Sequence, residues 1–320
     1  MKTPAKLVAF GAALAVALGG GWVLGATVGP QSEPDVADGG TTSDAMHGSG
    51  SGEDGGMPGH GAQGGDGGHG GHAEDGHGGG GHAAGVPAGL SASQDGYTFA
   101  PLTSTLRADR TERFRFRILG PDGHPVTRFE VEHEKKLHLI LVRRDSAEFQ
   151  HLHPAMAADG TWSVPLRLTK PGSYRAFADF RPTDGQAMTL GVDLAVPGTF
   201  QPETFAPSRV ATVDGYQVRL DGELKPGETS DLTLTVTRGG KPVTDLQQYL
   251  GASGHLVALR QGDLAYLHVH PVDPEARGPE IRFQAEVPSP GTYRLYLDFQ
   301  HRGTVRTAEF TVPAEGHHHG

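Results

Sequence analysis

Pro290-Gly291-Thr292-Tyr293-Arg294-Leu295-Tyr296-Leu297-Asp298-Phe299 repeats, with conservative drift, the stretch Pro171-Gly172-Ser173-Tyr174-Arg175-Ala176-Phe177-Ala178-Asp179-Phe180. Each reads as a Pro-Gly turn opening a long strand in which one acidic residue interrupts an aromatic and aliphatic run. The duplication extends in both directions: Asp95-Gly96-Tyr97 recurs as Asp214-Gly215-Tyr216, and Pro125-Val126-Thr127 as Pro242-Val243-Thr244. A recurrence this long marks a repeated structural unit. Between these landmarks lie short alternating segments such as Thr161-Trp162-Ser163-Val164-Pro165-Leu166, separated by Pro121-Asp122-Gly123, Lys170-Pro171-Gly172, Arg238-Gly239-Gly240 and Ser289-Pro290-Gly291. No segment carries a long helical period. The expected fold is therefore all-β: tandem immunoglobulin-like or cupredoxin-like β-sandwiches over residues 95–198 and 208–314, joined by a short linker.

The remainder of the chain is of another kind. Lys2 and Lys6 precede an uncharged stretch, residues 7–30, rich in Ala, Val, Leu and Gly. This is the pattern of an export signal. Roughly twenty apolar residues suffice to span a bilayer, and no clean small-residue cleavage site comes after them. Residues 1–30 thus read as either a signal peptide or an uncleaved signal anchor, placing the rest of the chain outside the cytoplasm, membrane-anchored or secreted. Residues 31–94 are dominated by Gly with His, Asp, Glu and Ser, and hold almost no large apolar side chains. Such a composition cannot offset the entropy of ordering, so a disordered linker is expected. A flexible coil of about 60 residues reaches on the order of 40 to 45 Å. Its histidines, His47, His60, His69, His72, His77 and His82, could gather metal loosely or merely solvate a spacer.

The net charge of -10 and the absence of a basic stripe exclude nucleic acid as an expected partner. Arg113, Arg115 and Arg117 alternate with Phe114, Phe116 and Ile118, which is the polar face of a strand. The chain has no cysteine, so a bound metal would rest on nitrogen and oxygen. No P-loop, no G-x-S-x-G and no thiol nucleophile occurs, and no catalytic role is expected.

One polar set survives in both copies. It comprises His138, His151, His153 and Asp179 in the first, and His255, His268, His270 and Asp298 in the second. The histidines keep a constant offset between copies, and the aspartates come after a slightly longer loop. His138 lies in Leu137-His138-Leu139-Ile140-Leu141-Val142, and His255 in Gly254-His255-Leu256-Val257-Ala258-Leu259, both reading as buried strands. The motifs His151-Leu152-His153-Pro154 and His268-Val269-His270-Pro271 put paired imidazoles on one strand face, about 6.6 Å apart. Three imidazoles and a carboxylate match a first-row metal shell in number and type, so one Cu(II) or Zn(II) site per domain is expected. Against that stands a polar core knot, in which each aspartate is clamped by histidine N–H groups. Met156 could add a soft ligand to the first set, and His301 could refine the second. His124 and His133 have no histidine counterpart and read as surface residues, and nothing is rested on His317, His318 and His319.

The phrases Gly254-His255-Leu256-Val257-Ala258-Leu259 and Tyr266-Leu267-His268-Val269-His270-Pro271, with the strand ending in Asp298-Phe299, resemble a family of exported bacterial heavy-metal-binding or secreted proteins. The resemblance covers the second copy best and implies metal handling outside the cytoplasm, with no established reaction. Blue-copper ligation needs a cysteine and is not expected. The function read from the sequence is binding, sequestration or delivery of copper or zinc, with the membrane met only through the N-terminal segment and the protein partner unspecified. The alternative, from a different class, is a structural or adhesive cell-surface protein whose histidines are structural.

Overall fold

The computed structural model describes residues 87–267 and 269–315. The proposed signal or anchor, all but the end of the Gly/His-rich segment, and the C-terminal histidines lie outside the described residues. Among the described residues no helix is long and apolar enough to cross a membrane.

The first repeat contains β1 (Ser93–Gln94), β2 (Tyr97–Pro101), β3 (Arg110–Leu119), β4 (Leu137–Arg143), β5 (Gln150–Leu152), β6 (Ala155–Met156), β7 (Trp162–Leu168), β8 (Gly172–Phe180) and β9 (Met188–Val196). They form antiparallel sheets in the orders β1-β2-β3-β7-β6 and β5-β4-β8-β9. The second repeat contains β10 (Val210–Val213), β11 (Tyr216–Asp221), β12 (Thr229–Arg238), β13 (Lys241–Pro242), β14 (His255–Arg260), β15 (Tyr266–Leu267), β16 (Val269–Pro271), β17 (Glu280–Glu286), β18 (Gly291–His301) and β19 (Thr304–Ala314). Its sheets, β10-β11-β12-β17-β16 with β13 on β12 and β15-β14-β18-β19, repeat the first plan. The chain is all-β, a tandem pair of sandwiches.

Period-two patterning builds each core. In β3, Phe114, Phe116 and Ile118 are fully buried while Arg113 and Arg115 face solvent. Across the sandwich they meet Leu137, Leu139 and Leu141 of β4 and Tyr174, Ala176 and Ala178 of β8. Tyr216, Val218, Leu232, Leu234 and Phe283 meet Leu256, Ala258, Leu295 and Leu297 in the second repeat. Burying side chains of this size contributes roughly 1.5–3 kcal/mol each.

β4 is buried along its whole length, which one sandwich cannot achieve, because alternate residues point out of it. Those outward residues, Ile140 and Val142, together with Phe177 of β8, pack against Val257, Leu259, Leu264 and Tyr296 of the second repeat. Phe149 stacks on Tyr296 with ring centroids 4.0 Å apart. The Tyr296 hydroxyl donates to the Ser146 carbonyl oxygen at 2.6 Å. The repeats therefore join face to face through their β4–β8 and β14–β18 sheets.

The chain enters this junction before β1. The Ala88 carbonyl accepts from the Tyr266 N–H at 3.0 Å, and the Gly89 carbonyl accepts from Arg175 Nη2 at 2.7 Å. Gly89, at φ +75°, lies so close to Phe177 that a Cβ would stand 2.5 Å from its ring. The expected end of the disordered linker at Gln94 is thus corrected: residues from Pro87 onward are held by these contacts and by β1. The inter-repeat linker is held too, by Phe200 over Arg143 at 5.3 Å and by Glu203 against Arg143 and Lys170 at 2.9 and 2.6 Å.

Candidate metal centre

Strand parity sends the histidines and acids to the same place. His138 shares the outward face of β4 with Ile140 and Val142, and Asp179 shares that of β8 with Phe177. His255 and Asp298 stand likewise on β14 and β18, where they are register partners, as His138 and Asp179 are on β4 and β8. All four face the junction between the repeats, not the interior of either sandwich.

His138, His151 and His153 offer ligand nitrogens that all lie within 4.8 Å of one another. Their ring centroids are 5.3, 5.1 and 4.9 Å apart. Imidazoles bound tetrahedrally to one ion through bonds of about 2.0 Å stand with centroids about 5 Å apart. The carboxylate that completes the group comes from the other repeat: His151 Nδ1 lies 2.9 Å from Asp298 Oδ2, while Thr307 donates to Asp298 Oδ1 at 2.6 Å. The three expected histidines of the first set thus meet a carboxylate of the second set. Asp179 Oδ1 instead accepts from Thr189 at 3.0 Å. The side chain of Asp298 reaches across the junction that the sequence treated as a boundary between independent sites.

The hydrogen bonds assign the tautomers. His138 Nε2 is 3.1 Å from the Glu132 carbonyl oxygen, which only accepts, so it carries the proton and Nδ1 bears the lone pair. His151 Nδ1–H donates to Asp298, so in the neutral ring the lone pair is on Nε2. These two lone-pair nitrogens face each other at 3.1 Å. His153 Nε2 is buried with no hydrogen-bond partner. A nitrogen of His153 joins those of His138 and His151 within 4.8 Å, and a cation or a shared proton between such nitrogens relieves the repulsion of facing lone pairs.

Burial, reinforced by neighbouring His151, pushes the His138 pKa down to about 3. Burial and then His151 lower His153 to about 4. His255 falls to about 4 through burial and then His133. These imidazoles are neutral at neutral pH, the state in which they can ligate.

The remaining expected residues are placed differently. His255 Nε2 is 3.1 Å from the Leu250 carbonyl oxygen, and its ring is 6.3 Å from His138 and 6.2 Å from His151. His270 is exposed and lines a cavity of about 410 Å³ with Glu130, His133, Lys135, His138 and Asp179. The side chain of His268 lies outside the described residues. Met156 packs on the first core, and His301 bonds Tyr216 at 2.7 Å inside the second sandwich, so neither joins the group. His133, read as a surface residue, is exposed, yet its ring sits 5.0 Å from His255 and 6.1 Å from His138. Nothing in its local sequence signals the approach to His255, because that proximity arises across the junction.

No curated protein matches the sequence. Similar solved structures include distant ones of bacterial proteins. The Escherichia coli adhesin FdeC is 11% identical with a TM-score of 0.24, the match covering 70% of this chain and 65% of that one. Invasin, a bacterial integrin-binding protein, is 12% identical with a TM-score of 0.23, covering 71% and 41%. A putative membrane anchored protein from Corynebacterium diphtheriae is 10% identical with a TM-score of 0.21, covering 69% and 57%. The chain spans less than two thirds of the length of each, and likeness this remote carries no functional argument. A family described as a domain of unknown function, DUF8832, matches residues 92–198 and again residues 211–316. The chain belongs to this family and carries its domain twice.

Proposed function

We propose that this protein binds a transition-metal ion outside the cytoplasm, holding Zn(II) or Cu(II) between its repeats for sequestration or delivery. His138 Nδ1, His151 Nε2 and His153 Nε2 are the ligands. The observation that carries the reading is the convergence of nitrogens from His138, His151 and His153 within 4.8 Å, with His138 Nδ1 and His151 Nε2 facing each other at 3.1 Å beside the unpartnered His153 Nε2. The outer nitrogens of His138 and His151 are tied to a backbone carbonyl and to a carboxylate, the usual support for ligating imidazoles. Three nitrogen ligands leave a fourth position open, which suits uptake and release better than a closed structural site. The export pattern of residues 1–30 supports the location.

A second reading is favoured by the same hydrogen bonds. If His151 holds a proton on both nitrogens, it bridges Asp298 and His138 as an imidazolium, and the cluster is a polar clamp in a structural or adhesive surface protein. Calorimetric titration of the full chain with Zn(II) and with Cu(II), beside His151→Ala/His153→Ala, separates the two. The metal reading predicts a tight component that the double variant loses, leaving only loose uptake by histidines elsewhere. Equal uptake by both proteins, with a doubly protonated His151 in the nitrogen NMR spectrum, establishes the clamp.

A further inference from the structure

His133 and His255 come from different repeats, yet their rings stand 5.0 Å apart, nearly perpendicular. That is the separation seen within the His138, His151 and His153 group, and the one two imidazoles adopt on a common ion. The Leu250 carbonyl accepts a hydrogen bond from His255 Nε2–H, as the Glu132 carbonyl does from His138 Nε2–H, which leaves the lone pair of neutral His255 on Nδ1. His133 projects from the loop before β4 with φ +48° and is exposed. It also lines the cavity whose wall includes His138. Exposed and buried rings are therefore neighbours, with the centroid of His133 6.1 Å from that of His138 and the centroid of His255 6.2 Å from that of His151.

We infer that His133 and His255 form a second, solvent-facing position for the same divalent ion, from which it passes to the buried three-histidine group. The inference rests on the metal reading above. With two protein ligands this position keeps water on the ion and binds weakly, so exchange there is fast. It raises the local concentration of ion beside His138 without adding to the final affinity. The step is a ligand exchange: the bonds from the ion to His133, His255 and water break as bonds to His138, His151 and His153 form, and no electron changes hands.

Stopped-flow transfer of Zn(II) between a chromophoric chelator and the full-length chain tests it. His133→Ala is expected to slow loading and release equally, on the order of tenfold, while the equilibrium affinity of the buried group stays as in the wild type. In His151→Ala/His153→Ala, which lacks the buried group, a weak component should remain that adding His133→Ala removes. Unchanged transfer rates in His133→Ala overturn the inference and leave the metal reading standing. A fall in equilibrium affinity without a change in loading rate also overturns it, because His133 would then be an ordinary ligand. Wild-type affinity in the double variant sinks the metal reading itself, whatever His133 does.

Discussion

Replacing Asp298 by Ala tests the cross-repeat construction most sharply. The side chain is only 5% exposed and accepts from His151 on one oxygen and from Thr307 on the other. Alanine removes both acceptors, so the His151 N–H is left buried without its partner. If His151 is neutral, the unmet donor costs about 1–3 kcal/mol of stability in metal-free protein. If His151 is an imidazolium, the loss rises to about 3–5 kcal/mol, because a buried charge is left alone. Metal affinity responds separately. Losing the partner that orients a ligating histidine lowers it about 10–100-fold, which is about 1.4–2.7 kcal/mol of binding free energy. Asp298→Asn keeps an acceptor of the same shape and should fall between wild type and Ala on both measures. Urea unfolding of the metal-free chain gives the first quantity, and Zn(II) competition with a chelator gives the second. Zn(II) affinity within twofold of wild type in Asp298→Ala would refute the reasoning, since the acid that reaches His151 would then do nothing for the site.

Further expectations concern the junction and the charge state. Metal-free protein should lose stability as pH falls from about 6.5 towards 4, because unfolded histidines take up protons there while buried His138, His153 and His255, with pKa values of about 3, 4 and 4, do not. The slope is up to about 1.4 kcal/mol per pH unit for each histidine. Urea midpoints measured across this range check it, and an unchanged slope after replacing the three by Gln would contradict it. Tyr296→Phe removes the donor to the Ser146 carbonyl and should cost about 1–3 kcal/mol in the same assay; a neutral result would mean that this bond does not hold the repeats together. Gly191→Ala places a Cβ against the Gly89 carbonyl and the Arg175 side chain. It should destabilise by about 1–3 kcal/mol and expose the segment before β1 to faster proteolysis, whereas wild-type protection would show that the segment is not clamped there.

The sandwich architecture was legible because the signals for it are local. Turns such as Pro171-Gly172 and Pro290-Gly291, and the alternation of Arg113, Phe114, Arg115 and Phe116, each act within a few residues. The duplication singled out the histidines and aspartates, and the structure brings His138, His151 and His153 together. What sequence reasoning missed is that Asp298, not Asp179, meets His151, and that His133 approaches His255. Both arise from the packing of one repeat on the other, which no within-repeat pattern encodes. A trace was nevertheless present. The run Leu137-His138-Leu139-Ile140-Leu141-Val142 is apolar on both faces, so a second layer had to cover its outward side, and the other copy was the available cover. His138 and Asp179, being of opposite parity to the core residues of their strands, had to lie beneath that cover.

The measurement closest to the central claim is anomalous diffraction at the zinc edge from crystals of the Zn(II)-loaded chain. The account predicts an ion bonded at about 2.0–2.1 Å to His138 Nδ1, His151 Nε2 and His153 Nε2, with His151 Nδ1 still donating to Asp298. Zinc elsewhere in the crystal, with His138 and His151 still hydrogen-bonded directly to each other, would contradict it.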